Sequence, residues 1–505
     1  MSAIEDLRRA LGETSDLGRA RALLAWDERT MMPRRGGPAR AEQLATLVRL
    51  RHELFTSDEL GRKLESAAAE TQGAAEDSFE ASLVRVTRRE WEKARRVPAE
   101  LRAETTRVTS IAEHAWEDAR ERSDFAAFLP HLEQVVELTR RYVECFDVEH
   151  PYDALLDDFE PEMKTAQLRP VLDRLRDGLR PLLAELMEHE GAVDDSALYG
   201  EFDLQAQAAL AREVVASLPL EPGAWRVDET VHPFATGVAI SDLRITTRYE
   251  SDYVGSSLWS VIHEVGHALY QNGIAAQLER TPLCRSASMG FDESQSRLWE
   301  NWVGRGRPFL SRLLPLLADA FPDSFAELDA EALYRAANRV RRSLIRMEAD
   351  EVTYNLHIGL RFELELAIFE DRLELAELPE AWNERMREYL EIEVPDDARG
   401  VLQDVHWAAG SFGYFPTYSL GNVIAAQVWD RARAALPDLD AQLAAGELDP
   451  LRDLLAERIY RHGGKHLPAA MIERVAGGPL DPEPLLRHLR AKFGEVYALE
   501  PVAPA

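Results

Sequence analysis

The chain has 505 residues, with 59 basic and 89 acidic side chains and a formal net charge of −30. That balance argues against nucleic-acid binding through a basic face and against docking on anionic membranes. Its two cysteines, Cys145 and Cys284, stand far apart in sequence, which excludes a disulfide scaffold and a four-cysteine zinc module and suits a reducing cytosol.

Taken from the N-terminus, Met1 to Arg9 has no apolar core of a secretory signal, and no uncharged apolar run of about 18 residues follows. The expectation is a cytoplasmic protein without membrane spans. Residues 1–100 hold 18 acidic and 18 basic side chains, so the whole negative excess falls in 101–505. Ala, Leu, Glu and Arg recur with apolar residues three and four apart, which predicts mostly helix, for example over Phe128–Phe146, Leu168–Glu190 and Ala332–Phe369. In the last, Leu344, Met347, Tyr354 and Ile358 are expected to share one face of a single long helix. The Trp26–Met32 stretch reads as helix-packing core. Soft punctuation at Arg34–Pro38 and Leu218–Gly223 interrupts the pattern, too briefly to separate independent domains. Val231–Tyr253 breaks the helical habit with β-branched residues and turn signals at Pro233 and Gly237, and predicts a short hairpin or edge strands.

Residues 256–273 form the most informative segment. Ser256 or Ser257 is the expected N-cap and Asn272-Gly273 the expected stop. Inside lies His263-Glu264-Val265-Gly266-His267. Positions i and i+4 of a helix lie about 40° apart on one face, so both imidazoles can reach one ion. Glu264 projects beside them, where a carboxylate can take a proton from water activated by a metal. In a chain with 13 histidines the bare string is expected by chance only about 0.03 times. A catalytic zinc needs a third protein ligand and one open position. Tyr270 and Gly273 stand where a metzincin would continue its motif, which excludes that class. Glu293, 26 positions after His267 on the next amphipathic pattern, is the favoured third ligand. Asp292 and Glu300 compete for that role, and Glu300 is alternatively a partner of a ligand. Cys284 is better read as a buried thiol. Two neutral histidines and one carboxylate would suit hydrolysis of an amide carbonyl, with Glu264 returning its proton to the leaving nitrogen.

Further motifs run in order along the chain: Leu24–Pro33 with Arg40–Leu47, His232-Pro233-Phe234, Asp242-Leu-Arg244-Ile-Thr246, Glu293–Ser296, Ile345-Arg346-Met-Glu-Ala349-Asp350, Gly400-Val-Leu-Gln403-Asp404-Val-His406-Trp407, and Gly413–Tyr418. In these the chain resembles the metallocarboxypeptidases of the thermostable carboxypeptidase Taq type, peptidase family M32, over most of its length. One departure is Asp292, where the family usually has histidine before the ligand glutamate.

The resemblance implies a mainly α, multi-helix gluzincin-like body with a deep groove and a small β element near the metal. It implies one M32-type domain over 1–505, with 1–220 as an N-terminal helical layer and lid and 221–505 as the catalytic portion. It also implies one zinc per chain, for which cobalt can substitute, a homodimer, and release of C-terminal residues from peptides with broad specificity. A free C-terminal carboxylate is best met by a guanidinium. Arg346 is the first candidate because the family's motif arginine is implicated in substrate binding, with an ion pair to Asp350 or Glu348 as the plainer reading. Arg244 is a second candidate, for which pairing with Asp242 or Asp350 is the alternative. His406 with Tyr418 or Tyr414 would stabilise the oxyanion and orient substrate. Gln403 and Asp404 would orient the histidine or the arginine, and His232 is expected to be structural. Two other functions fit the same residues: a gluzincin oligopeptidase cutting internally, and a non-catalytic, metal-stabilised peptide-binding protein. Retention of Glu264 beside both histidines argues against the second.

Overall fold

The computed structural model describes residues 2–499. The chain is mainly helical with one three-stranded sheet, and its contacts group it into two compact units. The first comprises 1–95, 195–337 and 428–478; the second comprises 96–194, 338–427 and 479–505. Residue 220 therefore falls inside the first unit. Among the described residues no helix is long and apolar enough to cross a membrane.

In the first unit the helix Ala3–Thr30 opens on a capping box. The Ser2 hydroxyl accepts from the Glu5 N–H, and the Glu5 carboxylate accepts from the Ser2 N–H. The expected hairpin is present as β2 (Ala235–Ala239) against β3 (Asp242–Thr247), and β1 (Trp225–Glu229) adds to β3 in parallel, giving the order β1-β3-β2. Trp26, 5 % exposed, lies beneath Arg226 and Arg244, whose guanidinium carbons sit 5.0 and 4.7 Å from its ring centroid. Arg244 also forms a fork with Asp242 at 2.6 and 3.0 Å, as its plainer reading anticipates. The Thr246 hydroxyl accepts from the Phe234 N–H at 2.7 Å and donates to the Phe234 carbonyl at 2.8 Å. The Asp-x-Arg-x-Thr strand thus holds the His-Pro-Phe turn in register. Thr247 bonds the Ser257 carbonyl at 3.1 Å and lies 2.7 Å from the Ser260 hydroxyl, tying β3 to the helix Gly255–Gly273.

The second unit is built from long amphipathic helices, among them Ala99–Arg122, Phe125–Val143, Thr165–Glu188 and Thr353–Phe369. The single helix expected over Ala332–Phe369 is not formed. It stops at Ala337, and Thr353 opens a new one. The intervening backbone finds side-chain partners instead of carbonyls one turn back. The Arg341 N–H donates to Asp350 at 3.0 Å and the Arg346 N–H to Gln403 at 2.9 Å. Asp350 also accepts from the N–H groups of Val352 and Thr353, a cap that starts the second helix. Met347, expected on a shared apolar face, is 58 % exposed.

Candidate metal centre

Helix Gly255–Gly273 buries Leu258, Val261, Ile262, Val265 and Leu269. Neither Ser256 nor Ser257 is its N-cap: the N-cap is Val254, two residues before Ser256, and the Ser257 hydroxyl donates to the carbonyl of Val254. It stops at Gly273 as expected. The next helix, Met289–Arg297, is capped by Ser288, whose hydroxyl accepts from the Phe291 N–H. The two helices cross closely at Gly266, where a Cβ would lie 2.5 Å from the Gln295 carbonyl oxygen. The glycine inside the motif is therefore set by packing, and this crossing brings Glu293 to the histidines.

Among the described residues, His263, His267 and Glu293 are the group whose ligand atoms lie within 4.8 Å of one another. One carboxylate oxygen, Oε2 of Glu293, is 3.6 Å from Nε2 of His263 and 3.5 Å from Nε2 of His267. These separations are long for hydrogen bonds. They match the edges of a tetrahedron with metal–ligand bonds of about 2.0–2.1 Å, which are about 3.4 Å. The other oxygen, Oε1, is held by Nε of Arg297 at 2.7 Å. The donor set thus fits a divalent ion with three protein ligands.

Asp292 and Glu300, the two competitors, engage the opposite ring nitrogens. Glu300 hydrogen-bonds Nδ1 of His263 at 2.9 Å, and Asp292 lies 2.8 Å from Nδ1 of His267, close but out of line for a hydrogen bond. Both leave Nε2 facing the cluster, the arrangement by which carboxylates fix the orientation of ligating imidazoles. Glu300 sits on a π-helical turn, Leu298–Gly304, that follows the ligand helix directly, and it also takes Arg305 at 3.1 Å and Arg297 at 3.4 Å.

Burial raises the carboxyl of Glu264 above its usual range; His263 and His267 oppose that shift, and Glu293 and Asp292 add to it. For Glu293 and Glu300 burial also acts upward, yet the neighbouring cations win. Arg297 and both histidines hold Glu293 well below the usual carboxylate range, and His263, Arg297 and Arg305 bring Glu300 down to about 2.

The second unit contains a separate polar cluster made by the other motifs. Arg346, 5 % exposed, engages Asp404 at 2.7 Å through Nη2 and the Tyr354 hydroxyl at 3.1 Å through Nη1. Its ion-pair partner is thus Asp404, rather than Asp350 or Glu348. Arg361, with no exposed surface, takes the second oxygen of Asp404 at 2.6 Å and Gln403 at 2.8 Å. Two guanidinium groups share one carboxylate. Nε2 of His406 lies 3.4 Å from the Tyr418 hydroxyl, and its ring packs 4.4 Å from Phe415 and 5.4 Å from Tyr414. Burial, reinforced by Arg346 and Arg361 against Asp404, lowers His406 to about 4, so its imidazole is neutral at neutral pH. Sequence reasoning missed Arg361, Arg297 and Arg305. The spacing of four between Glu293 and Arg297 was a usable signal, whereas Arg361 and Arg305 carried none.

The sequence model of the carboxypeptidase Taq (M32) metallopeptidases matches residues 6–493. Thermostable carboxypeptidase 1 of Thermus thermophilus is 40% identical over 506 residues, covering 98% of this chain and 99% of its own. Carboxypeptidase 1 of Bacillus subtilis is 36% identical, covering 97% of each chain. The crystal structure of the M32 carboxypeptidase from Deinococcus radiodurans superposes with a TM-score of 0.95 at 37% identity, covering 98% of this chain and 100% of its own. With its paired helices, its His-His-Glu cluster and these relatives along its whole length, the chain belongs to the M32 family of metallocarboxypeptidases.

Proposed function

We propose that the protein is a zinc-dependent carboxypeptidase of broad specificity, with His263, His267 and Glu293 as metal ligands and Glu264 as the general base. The observation that carries this reading is the approach of both Nε2 atoms to one Glu293 oxygen at 3.5–3.6 Å. A zinc ion held there supplies Lewis acidity and brings the pKa of water down towards about 7. The chain's own residues do the rest. Glu264, next to His263 and buried like Glu293, takes the proton from the attacking water and passes it to the leaving amine. Glu300 keeps the His263 imidazole turned and in the correct tautomer, and Asp292 faces Nδ1 of His267.

His406 and Tyr418 are proposed to donate to or polarise the developing oxyanion, with Tyr414 orienting the peptide. The support is their motif positions and the neutral, packed imidazole. Arg346 is proposed to meet the terminal carboxylate, supported by two guanidinium groups sharing a single carboxylate. Arg244 is a weaker member of the substrate-binding set, since Asp242 and Trp26 already occupy its guanidinium. Cobalt is a plausible substitute on donor chemistry. We further propose a cytoplasmic location, in keeping with the two unpaired cysteines, and a homodimer, from the family resemblance; light scattering at the mass of one chain would contradict the dimer.

Metal analysis tests the ligand set. Purified protein should carry one zinc per chain, and His267→Ala or Glu293→Gln should lose it while retaining helical circular dichroism. Full zinc occupancy in either variant would contradict the assignment.

A further inference from the structure

Glu365 lies in the last two turns of helix Thr353–Phe369, near Phe362, Leu364, Leu366 and Phe369 in sequence, with no exposed surface. A carboxylate in such a place is costly unless donors surround it. Three do. The Tyr152 hydroxyl donates to Oε2 at 2.6 Å, the Gly413 N–H donates to Oε2 at 3.0 Å, and the Trp407 indole donates to Oε1 at 2.8 Å. Burial pushes the carboxyl up to about 7, with Tyr152, Gly413, Trp407 and Arg361 pulling the other way.

The donors come from two segments. Tyr152 belongs to the short helix Pro151–Leu156, while Trp407 and Gly413 bracket the loop that follows His406. That loop is pressed hard against the short helix. Gly413 has φ +86°, and a Cβ there would stand 2.7 Å from the Leu155 carbonyl carbon. On the other side of His406, Asp404 is held by Arg361. Arg361 and Glu365 are four residues apart, on one face of the same helix. His406 is thus fastened at position 404 to one turn of that helix and at positions 407 and 413 to the next.

We infer that Glu365 is a positioning residue for peptide hydrolysis, acting through Trp407 and Gly413 to hold the His406 imidazole in place. The inference rests on the reading of His406 given above. An apolar residue of similar size would pack without the ion's desolvation. What the carboxylate adds is direction, since its two oxygens accept from three donors at fixed angles. Glutamine keeps the shape but turns one oxygen into a donor. It then opposes either the Trp407 N–H or the Gly413 N–H, neither of which can turn to accept as the Tyr152 hydroxyl can.

The test compares steady-state kinetics of the zinc-loaded full chain with those of three variants. Glu365→Gln should lower kcat about 10- to 100-fold, as for displacement of a catalytic group by about an ångström, with KM within about twofold and zinc content unchanged. His406→Ala should lower kcat at least as far. Adding Glu365→Gln to His406→Ala should cost nothing more, because the group being positioned is already gone. Three outcomes overturn the inference. If Glu365→Gln is folded and keeps wild-type kcat, no positioning occurs. If the two losses multiply in the double variant, Glu365 acts elsewhere. If His406→Ala itself keeps wild-type kcat, the reading of His406 fails first, and the latch has nothing to hold. Should Glu365→Gln fail to fold, Tyr152→Phe removes one donor of the three. The same comparison then applies, with a smaller loss of kcat expected and an unchanged kcat overturning the inference.

Discussion

Glu264→Gln is expected to lower kcat about 10²–10⁴-fold, the usual contribution of a positioned acid–base group, while the protein keeps one metal per chain. The carboxylate follows a ligand histidine directly and is itself buried, yet it is not a member of the His263, His267 and Glu293 cluster. Removing its basicity should leave the ligand set intact. Glutamine preserves volume and one acceptor, so stability should change little. Measured together, kcat and metal content separate the roles of base and ligand. A variant that keeps its metal and loses less than tenfold in kcat would show that another group accepts the proton.

Asp404→Asn is expected to cost about 3–5 kcal/mol of stability in denaturant unfolding, the range for breaking a buried ion pair from one side. Asp404 is 10 % exposed and is the shared partner of Arg346 and Arg361, at 2.7 and 2.6 Å. Asparagine leaves one guanidinium facing an amide donor in a largely buried site. Burial raises the Asp404 carboxyl, but the two arginines overcome it and hold it far below its ordinary value of 3.8. The sign follows from linkage. Below that value the unfolded chain binds the proton first, so the stabilisation is complete above about pH 4 and is lost progressively as the pH falls. The variant should lack this part of the acid limb. A loss under 1 kcal/mol, or an unchanged acid limb, would show that the arginines are compensated by other groups.

The parts of the site legible in sequence were those carried by local spacing. His263 and His267 share a face because they are four apart on one helix. Glu293 followed from a plausible return distance. Its separation from Asp292 and Glu300 did not, because all three are carboxylates near one helix face. The difference lies in which ring nitrogen each one meets, and that is decided by the close crossing at Gly266 and the π-turn after Arg297. The helix break between Ala337 and Thr353 was illegible for a different reason. Its residues favour helix locally, while the partners that hold its backbone open include Gln403, remote in sequence. Arg346 shows the same limit, since its carboxylate partner stands 58 residues away. Glu365 was hidden in an apolar helix and gave no periodic signal.

The central claim, cleavage at a free C-terminus, is tested most directly by mass spectrometry of products from two peptides of one sequence, one ending in a free acid and the other in an amide. Arg346→Ala should diminish the preference between them if that guanidinium meets the carboxylate. The wild-type protein should give a ladder of single-residue losses from the free-acid peptide, abolished by chelator, and little or no cleavage of the amide. Internal fragments produced equally from both peptides would contradict it and identify an oligopeptidase.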